Sequence, residues 1–335
     1  MIVAAWARRH ERLVATATWL FGVVLFFRDP ITTGFDTITG DRGDARLTIF
    51  LHEHWMQVAH AQVPWASPPQ FFPAASTLGY SDTFFLNQIF YIPLRMLGLD
   101  QFVAFQCTLI CLTGVGFAAT FAILRRHMHV SLFPACVLSS VATFSNDLFV
   151  DTGHPQIYAV NFVPVVVLLV LEAFAAERAR RRHSLFGGAG LLLGLLAYSN
   201  FYMGWFVIFV ALIIGAIAAI LSVIDRGVGP NWTLVRSRGR ELASFIGGFA
   251  IAMVPFLLTY VPVLDEVGGR SFGEVLGLSP SPGDLINVGR HNVVWGWLIH
   301  PLLGNAARLD ALNRAVAPTP VLLTLTAWAA VGSWR

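Results

Sequence analysis

The chain has 335 residues, 56% of them hydrophobic and only 12% charged, with a mean hydropathy of +0.66. Soluble domains carry roughly a quarter charged residues, so a water-soluble globule is excluded and a membrane protein is expected. The net charge of +3 and the pI near 9.0 do not mark a nucleic-acid binder, because every basic residue is an arginine and the arginines are scattered between apolar runs.

A spanning helix needs about 20 mostly apolar residues, and eight runs qualify as candidates: 13–27, 101–124, 131–150, 157–175, 184–200, 201–224, 241–262 and 321–334. The first and last are short. The fold class predicted is therefore an all-α membrane bundle of about eight helices, forming a single transmembrane domain over residues 1–335. A ninth run, 84–98, contains Asn87, Gln88, Pro93 and Arg95 and is assigned by charge. Arginine excess marks the cytoplasmic side of short loops. Arg8, Arg9 and Arg12, then Arg125 and Arg126, then Arg178 and Arg180 to Arg182, then Arg226, Arg236, Arg238 and Arg240 fall on one side only if residues 84–98 do not cross. That segment is expected to lie in the outer interface as an amphipathic or re-entrant helix. The same arrangement puts most of the acidic residues outside, and the N-terminus inside. No small-x-small cleavage site follows the first run, which is kept as a helix rather than a signal peptide.

Two outer loops are long, 28–100 and 263–320, and loops of that size usually serve a function. The first contains Asp36, Asp41 and Asp44, then a stretch in which Leu47, Phe50, Leu51, Trp55 and Val58 recur at helical spacing. That stripe predicts a helix on the membrane surface, with Arg46, Glu53, Gln57 and His60 facing away. Asp44 reads as the N-cap of this helix, with Asp41 and Gly43 in a turn. Neighbouring residues on a helix point about 100° apart, so His52, Glu53 and His54 do not converge on one ion, and no metal site is assigned.

Farther along come Phe71-Phe72-Pro73 and Gly79-Tyr80-Ser81-Asp82, where Asp82 either caps a helix or closes a polar pocket with the first-loop acids. A short outer turn carries Asp147, Asp151, His154 and Gln156, donors and acceptors at the same depth. Tyr198, Asn200 and Tyr202 mark the outer turn between the fifth and sixth runs, as interface anchors or as cavity lining. The second long loop offers Arg270, Arg290, His291, His300 and Arg308 around a stiff Ser279-Pro-Ser-Pro282 turn. Arginines above an acidic pocket at membrane level suit a phosphorylated lipid, since guanidinium presents planar donors to phosphate oxygens. Cys107, Cys111 and Cys136 lie in apolar runs and form no disulfide or zinc pattern. Gly190 and Gly194 give a spacing that predicts close helix packing.

Taken together, the arginine-tagged first helix, the Gly-Asp41-Arg-Gly-Asp44 opening of the first loop, Phe-Pro73, Ser-Asp82 and Gly-His154-Pro-Gln156 resemble bacterial membrane proteins of the GT-C glycosyltransferase superfamily. The resemblance covers about residues 13–320. It implies interfacial helices in the first outer loop, a catalytic loop aspartate, a sugar donor on polyprenyl phosphate, and a later outer loop that helps bind it. By position Asp41 or Asp44 is the base, with His154 as a proton-sharing partner. Arg270 or Arg290 is the phosphate clamp, and Asp36, Asp82, Gln156 and Tyr202 are substrate contacts. The expected partners are that lipid-linked sugar and membrane lipid; no nucleic acid is expected, and protein partners are left open. No cofactor is assigned, with a divalent cation the open alternative. The expected location is the bacterial inner membrane. The alternative reading is a non-catalytic protein, either a transporter or flippase of lipid-linked sugars or an envelope assembly factor. The chain ends after only fourteen apolar residues of the eighth run, so it is expected to be the N-terminal portion of a longer protein.

Overall fold

The computed structural model describes residues 10–41, 43–145, 153–226, 238–269, 271–289, 292 and 295–303, and every regular element among them is helical. The chain divides into two compact units, Met1–Thr143 with Pro155–Val267, and Phe144–His154 with Gly268–Arg335.

The first unit contains α1 (Glu11–Phe26), α2 (Arg28–Thr32), α3 (Asp44–Ala59), α4 (Gln88–Met96), α5 (Gln101–Ala122), α6 (Leu132–Thr143), α7 (Val163–Ala175), α8 (Ala179–Ser199), α9 (Phe201–Arg226), α10 (Gly239–Tyr260) and the short α11 (Leu264–Val267). Tight turns precede α7 and follow α10, so the continuous helical segments run Pro155–Ala175 and Gly239–Glu266. These two, with Gln101–His127 and Phe201–Asp225, are the four that are long and apolar enough to cross a bilayer. Of the other predicted spans, α1 has 16 residues and α6 has 12. α8 has 21, but its first turn carries Arg180, Arg181 and Arg182. The run 321–334 lies outside the described residues.

α9 carries the membrane argument. It is apolar on every face, and none of its most apolar 18-residue stretch is buried. In water, exposing Trp205, Phe206, Leu212, Ile214, Ile220 and Leu221 together would be prohibitive, whereas in hydrocarbon the helix satisfies its own backbone and needs no protein cover. The chain is a membrane protein. α4 has only 9 residues, about 13 Å at 1.5 Å per residue, and cannot cross a hydrocarbon layer about 30 Å thick.

Ion pairs gather one set of helix ends. Glu11 accepts two bonds from Arg125, at 2.7 and 3.0 Å. Glu172 sits 3.4 Å from Arg126, 3.4 Å from His127 and 3.5 Å from Arg181. Glu241 lies 3.3 Å from Arg182 and 3.6 Å from Arg238. The start of α1, the end of α5, the end of α7 and the starts of α8 and α10 therefore share one end of the unit. Following each helix to its other terminus places Phe27, Asp100, Pro155, Asn200 and Tyr260 at the opposite end.

α8 and α10 run parallel and nearly touch. Arg182 meets Glu241 at one end and the Tyr198 hydroxyl meets Thr259 Oγ1 at 3.4 Å at the other. Between them a Cβ on Gly190 would fall 1.9 Å from the Phe245 carbonyl oxygen, and one on Gly248 would fall 2.0 Å from that of Gly187. Only glycine permits this approach, which gives the spacing of Gly190 and Gly194 its physical meaning.

The apolar stripe of α3 meets protein and not only lipid. Leu51 and Trp55 form a core cluster with Leu78, Phe84 and Tyr198, while Phe50 and Val58 pack beside it; Leu47 stays exposed. An apolar stripe specifies burial but not the medium that buries it, and here loop 60–87 has folded over the helix. Trp55 Nε1 donates to the Thr83 carbonyl at 2.6 Å. The loop in turn closes the end of α8, whose last carbonyls need donors from outside the helix. Thr83 Oγ1 donates to the Tyr198 carbonyl at 2.7 Å, the Phe84 amide to the Ser199 carbonyl at 2.9 Å, and the Leu86 amide to Ser199 Oγ at 3.1 Å.

The second unit contains α12 (Phe272–Leu278) and α13 (Gly296–Leu303). Ser271 and Glu274 form a reciprocal cap at the start of α12, with the Ser271 amide 2.7 Å from Glu274 Oε2. The predicted Ser279–Pro282 turn leads into a 3-10 turn, Pro282–Ile286, closed by the Ser281 amide and hydroxyl on Asp284 Oδ2 at 2.6 and 2.8 Å.

Candidate active site

The local chain at the start of α3 explains which aspartate does what. Asp41 Oδ1 accepts the Gly43 amide at 2.6 Å and the Asp44 amide at 2.7 Å. Asp41, rather than Asp44, thus satisfies the free amides at this helix start, the task expected of a capping side chain. Asp44 is the first helical residue, half-buried, with its side chain directed to other partners. Gln156 Nε2 donates to Asp44 Oδ2 at 3.3 Å, and the Gln156 carbonyl accepts from Asn200 Nδ2 at 2.8 Å. Asn200 Oδ1 also accepts the Met203 amide at 2.8 Å, so one side chain both starts α9 and holds Gln156.

Asp82 joins the group from the other direction. Its Oδ1 accepts the Phe201 amide at 2.9 Å, a second contact at the start of α9. Its neighbour Ser81 is fixed by the Tyr260 hydroxyl, 3.1 Å from the Ser81 carbonyl. Burial raises the Asp82 carboxyl to about 6 from an ordinary 3.8; the Phe201 amide opposes this, and the negative field of Asp44 adds to it. The shift is therefore chiefly a desolvation effect on Asp82, with the charge of Asp44 a smaller contribution in the same direction. Asp82 does not cap the segment that follows it, whose starts carry no side-chain cap; it serves the start of α9 instead, and lies within the field of Asp44. The cap uses Oδ1, and among the described residues no hydrogen bond engages Oδ2.

The remaining predicted site residues are placed as follows. Asp36 is exposed in the turn after α2, a turn held by buried Gln106 through the Phe35 carbonyl at 3.2 Å and Thr39 Oγ1 at 3.4 Å. Tyr202 is exposed, its ring 5.9 Å from that of Phe201. His154 belongs to the second unit. Arg270, Arg290, His291, Arg308, Asp147 and Asp151 lie outside the described residues, as does the side chain of His300.

The His52-Glu53-His54 triplet diverges as its helical geometry requires. His52 is buried, held neutral with its value lowered to about 3, and its Nδ1 accepts Gln88 Nε2 at 2.7 Å. His54 Nε2 bonds the Trp65 carbonyl at 2.8 Å. Glu53, expected to face away from the membrane surface, is ligated by Arg95 at 2.6 and 3.2 Å and by the Tyr91 hydroxyl at 2.5 Å. This bond and the nearby carboxylate drive the Arg95 value up. Arg95 inside an apolar run was the one sequence signal for that pairing. Among the described residues no group of three metal-ligating side chains is present.

The arrangement can accept a proton from a hydroxyl brought to the Asp44–Asp82 pair, at the end of the unit opposite the arginines. No protein-family model, curated protein sequence or solved structure matches this chain.

Proposed function

We propose that the protein is a membrane glycosyltransferase of the GT-C type, which moves a sugar from a polyprenyl-phosphate donor to a cell-envelope acceptor at the outer face of a bacterial inner membrane. In this reading eight helices cross, the N-terminus is cytoplasmic and the arginine end faces the cytoplasm. The observation that carries it is the half-buried Asp44–Asp82 pair, set at one end of the helices with Asp82 raised to about 6. A base is most effective when its value lies near the working pH.

In the reaction, the acceptor oxygen attacks the anomeric carbon and the carbon–oxygen bond to phosphate breaks. Polyprenyl phosphate leaves with the bonding electrons, and the acceptor proton passes to the carboxylate pair, where it rests on Asp82. Asp44, oriented by Gln156, adds its negative field to the site. Asp41 holds the backbone on which Asp44 is mounted. The departing phosphate needs cationic partners, and Arg270 and Arg290 are proposed for that task, with His154 as a further proton-sharing group.

The test is transfer of labelled sugar from polyprenyl phosphate in membranes carrying Asp82→Asn, Asp44→Asn or both. Loss of a positioned base costs roughly 100- to 10,000-fold, and the double variant should lose no more than the worse single, because the pair acts as a unit. Full transfer in all three variants overturns the assignment.

A further inference from the structure

A cavity of about 850 Å³ lies between α1 and α5 at the arginine end, far along the helices from Asp44 and Asp82. Its walls are apolar, with Leu13, Thr16 and Trp19 on one side and Phe117, Ala118 and Phe121 on the other. Leu13, Thr16 and Ala118 are exposed, so the cavity is an open groove along two helices and not an enclosed void.

The floor is defined by Trp19. Its Nε1 donates to Thr113 Oγ1 at 3.1 Å, and its ring lies 3.1 Å from where a Cβ on Gly114 would stand. From Gly114 to Arg125 the helix rises about 16 Å, which matches one leaflet of a hydrocarbon layer about 30 Å thick. A groove one leaflet deep, walled by apolar side chains and open at its side, has the dimensions of an acyl-chain slot.

The mouth of the groove carries Arg12, Arg125 and Arg126 against Glu11. Arg125 is committed to Glu11 through two short bonds. Arg126 is 65% exposed and reaches Glu172 only at 3.4 Å, while Glu172 also serves His127 and Arg181. Arg12 is exposed, with no ion pair among the described residues. The mouth is thus a positive surplus at headgroup depth directly above an apolar slot, and basic pockets between membrane helices recruit anionic headgroups. We propose that this groove is a binding site for an anionic glycerophospholipid, with one acyl chain against Trp19 and Phe117 and the phosphate between Arg12 and Arg126. The site is separate from the carboxylate pair and independent of the proposed transfer reaction.

The test uses the full chain in phosphatidylcholine vesicles doped with brominated phosphatidylglycerol or brominated phosphatidylcholine at equal mole fraction. Trp19 emission is isolated by subtracting the Trp19→Phe protein. Brominated phosphatidylglycerol should quench it at lower mole fraction than brominated phosphatidylcholine, by roughly fivefold for each arginine that contacts the phosphate. Arg12→Gln with Arg126→Gln should bring that ratio to about one, and 1 M salt should do the same in the unmodified protein, which guards against a variant that fails to fold. Ala118→Phe, which fills the slot, should weaken quenching by both lipids. Equal quenching by the two lipids in the unmodified protein shows a non-selective lipid face and overturns the proposal. Absence of quenching by either shows that the chain's own residues fill the groove, and also overturns it.

Discussion

Two glycines on one helix should respond oppositely to the same substitution. Gly188 has nothing within 4 Å of where a Cβ would stand, whereas a Cβ on Gly190 would lie 1.9 Å from the Phe245 carbonyl oxygen, 2.8 Å from its carbon and 3.1 Å from the Phe249 amide nitrogen. All three obstacles are backbone, so no side chain can turn aside, and α10 must retreat by more than an ångström. Both substitutions gain the same helix propensity, at most about 1 kcal/mol, and this cancels when the variants are compared. What is left is the overpacking term, typically 1–3 kcal/mol, raised further because dispersion along the interface between α8 and α10 falls off as the helices part. Gly188→Ala should be neutral or stabilising, and Gly190→Ala less stable than it by about 1–3 kcal/mol. Unfolding of the purified protein in mixed micelles, by dodecyl sulfate titration followed by circular dichroism, measures the difference. If Gly190→Ala is as stable as Gly188→Ala, α8 and α10 do not pack along this glycine face.

Three further outcomes are expected. Because Asp82 holds its proton to about 6 in the folded chain against an ordinary 3.8, the native state binds that proton more tightly than the unfolded one; its stabilising contribution is complete below the unfolded value and is lost as pH rises through about 4 to 6. Asp82→Asn should flatten that decline in a pH series of micellar unfolding curves, and an unchanged slope would assign the decline elsewhere. Trp55→Phe removes the donor to the buried Thr83 carbonyl at 2.6 Å and should destabilise by about 1–3 kcal/mol; a loss below a few tenths would mean that water reaches the carbonyl. In a background lacking Cys107, Cys111 and Cys136, Gln62→Cys should react with an impermeant thiol reagent in intact cells and Met128→Cys should not, while equal labelling of both would refute the sidedness.

Four of the eight predicted spans were legible, because hydropathy reports directly on the medium that a helix must tolerate. Runs 101–124, 157–175, 201–224 and 241–262 each match a long apolar helix within a few residues. The grouping of Arg125, Arg126, Arg181, Arg182 and Arg238 was legible as well, from charge alone, and the structure gathers them around Glu11, Glu172 and Glu241. Partners were not legible. The stripe at Leu51 and Trp55 could have met lipid or protein with the same periodicity, and Glu53 could have faced water had Arg95 not been folded back over it. Within the candidate site, Asp44, Asp82, Gln156 and Asn200 were each singled out as polar residues at outer turns. Their convergence depends on the start of α9, where Asn200 and Asp82 both accept backbone amides. A sequence separation of more than 100 residues carries no local signal of that meeting.

The bonds between loop 60–87 and the end of α8 also set an order of events during synthesis. Thr83 and Tyr198 are 115 residues apart, an interval of about 6–23 s at 5–20 residues per second. Throughout that time the ribosome has delivered the loop but not the carbonyls that hold it, nor the amide of Phe201 that fixes Asp82. The segment around α3 must therefore wait with Trp55 and Phe84 uncovered. The approach of Asp82 to its partners comes into being only when α8 has been made and α9 has begun.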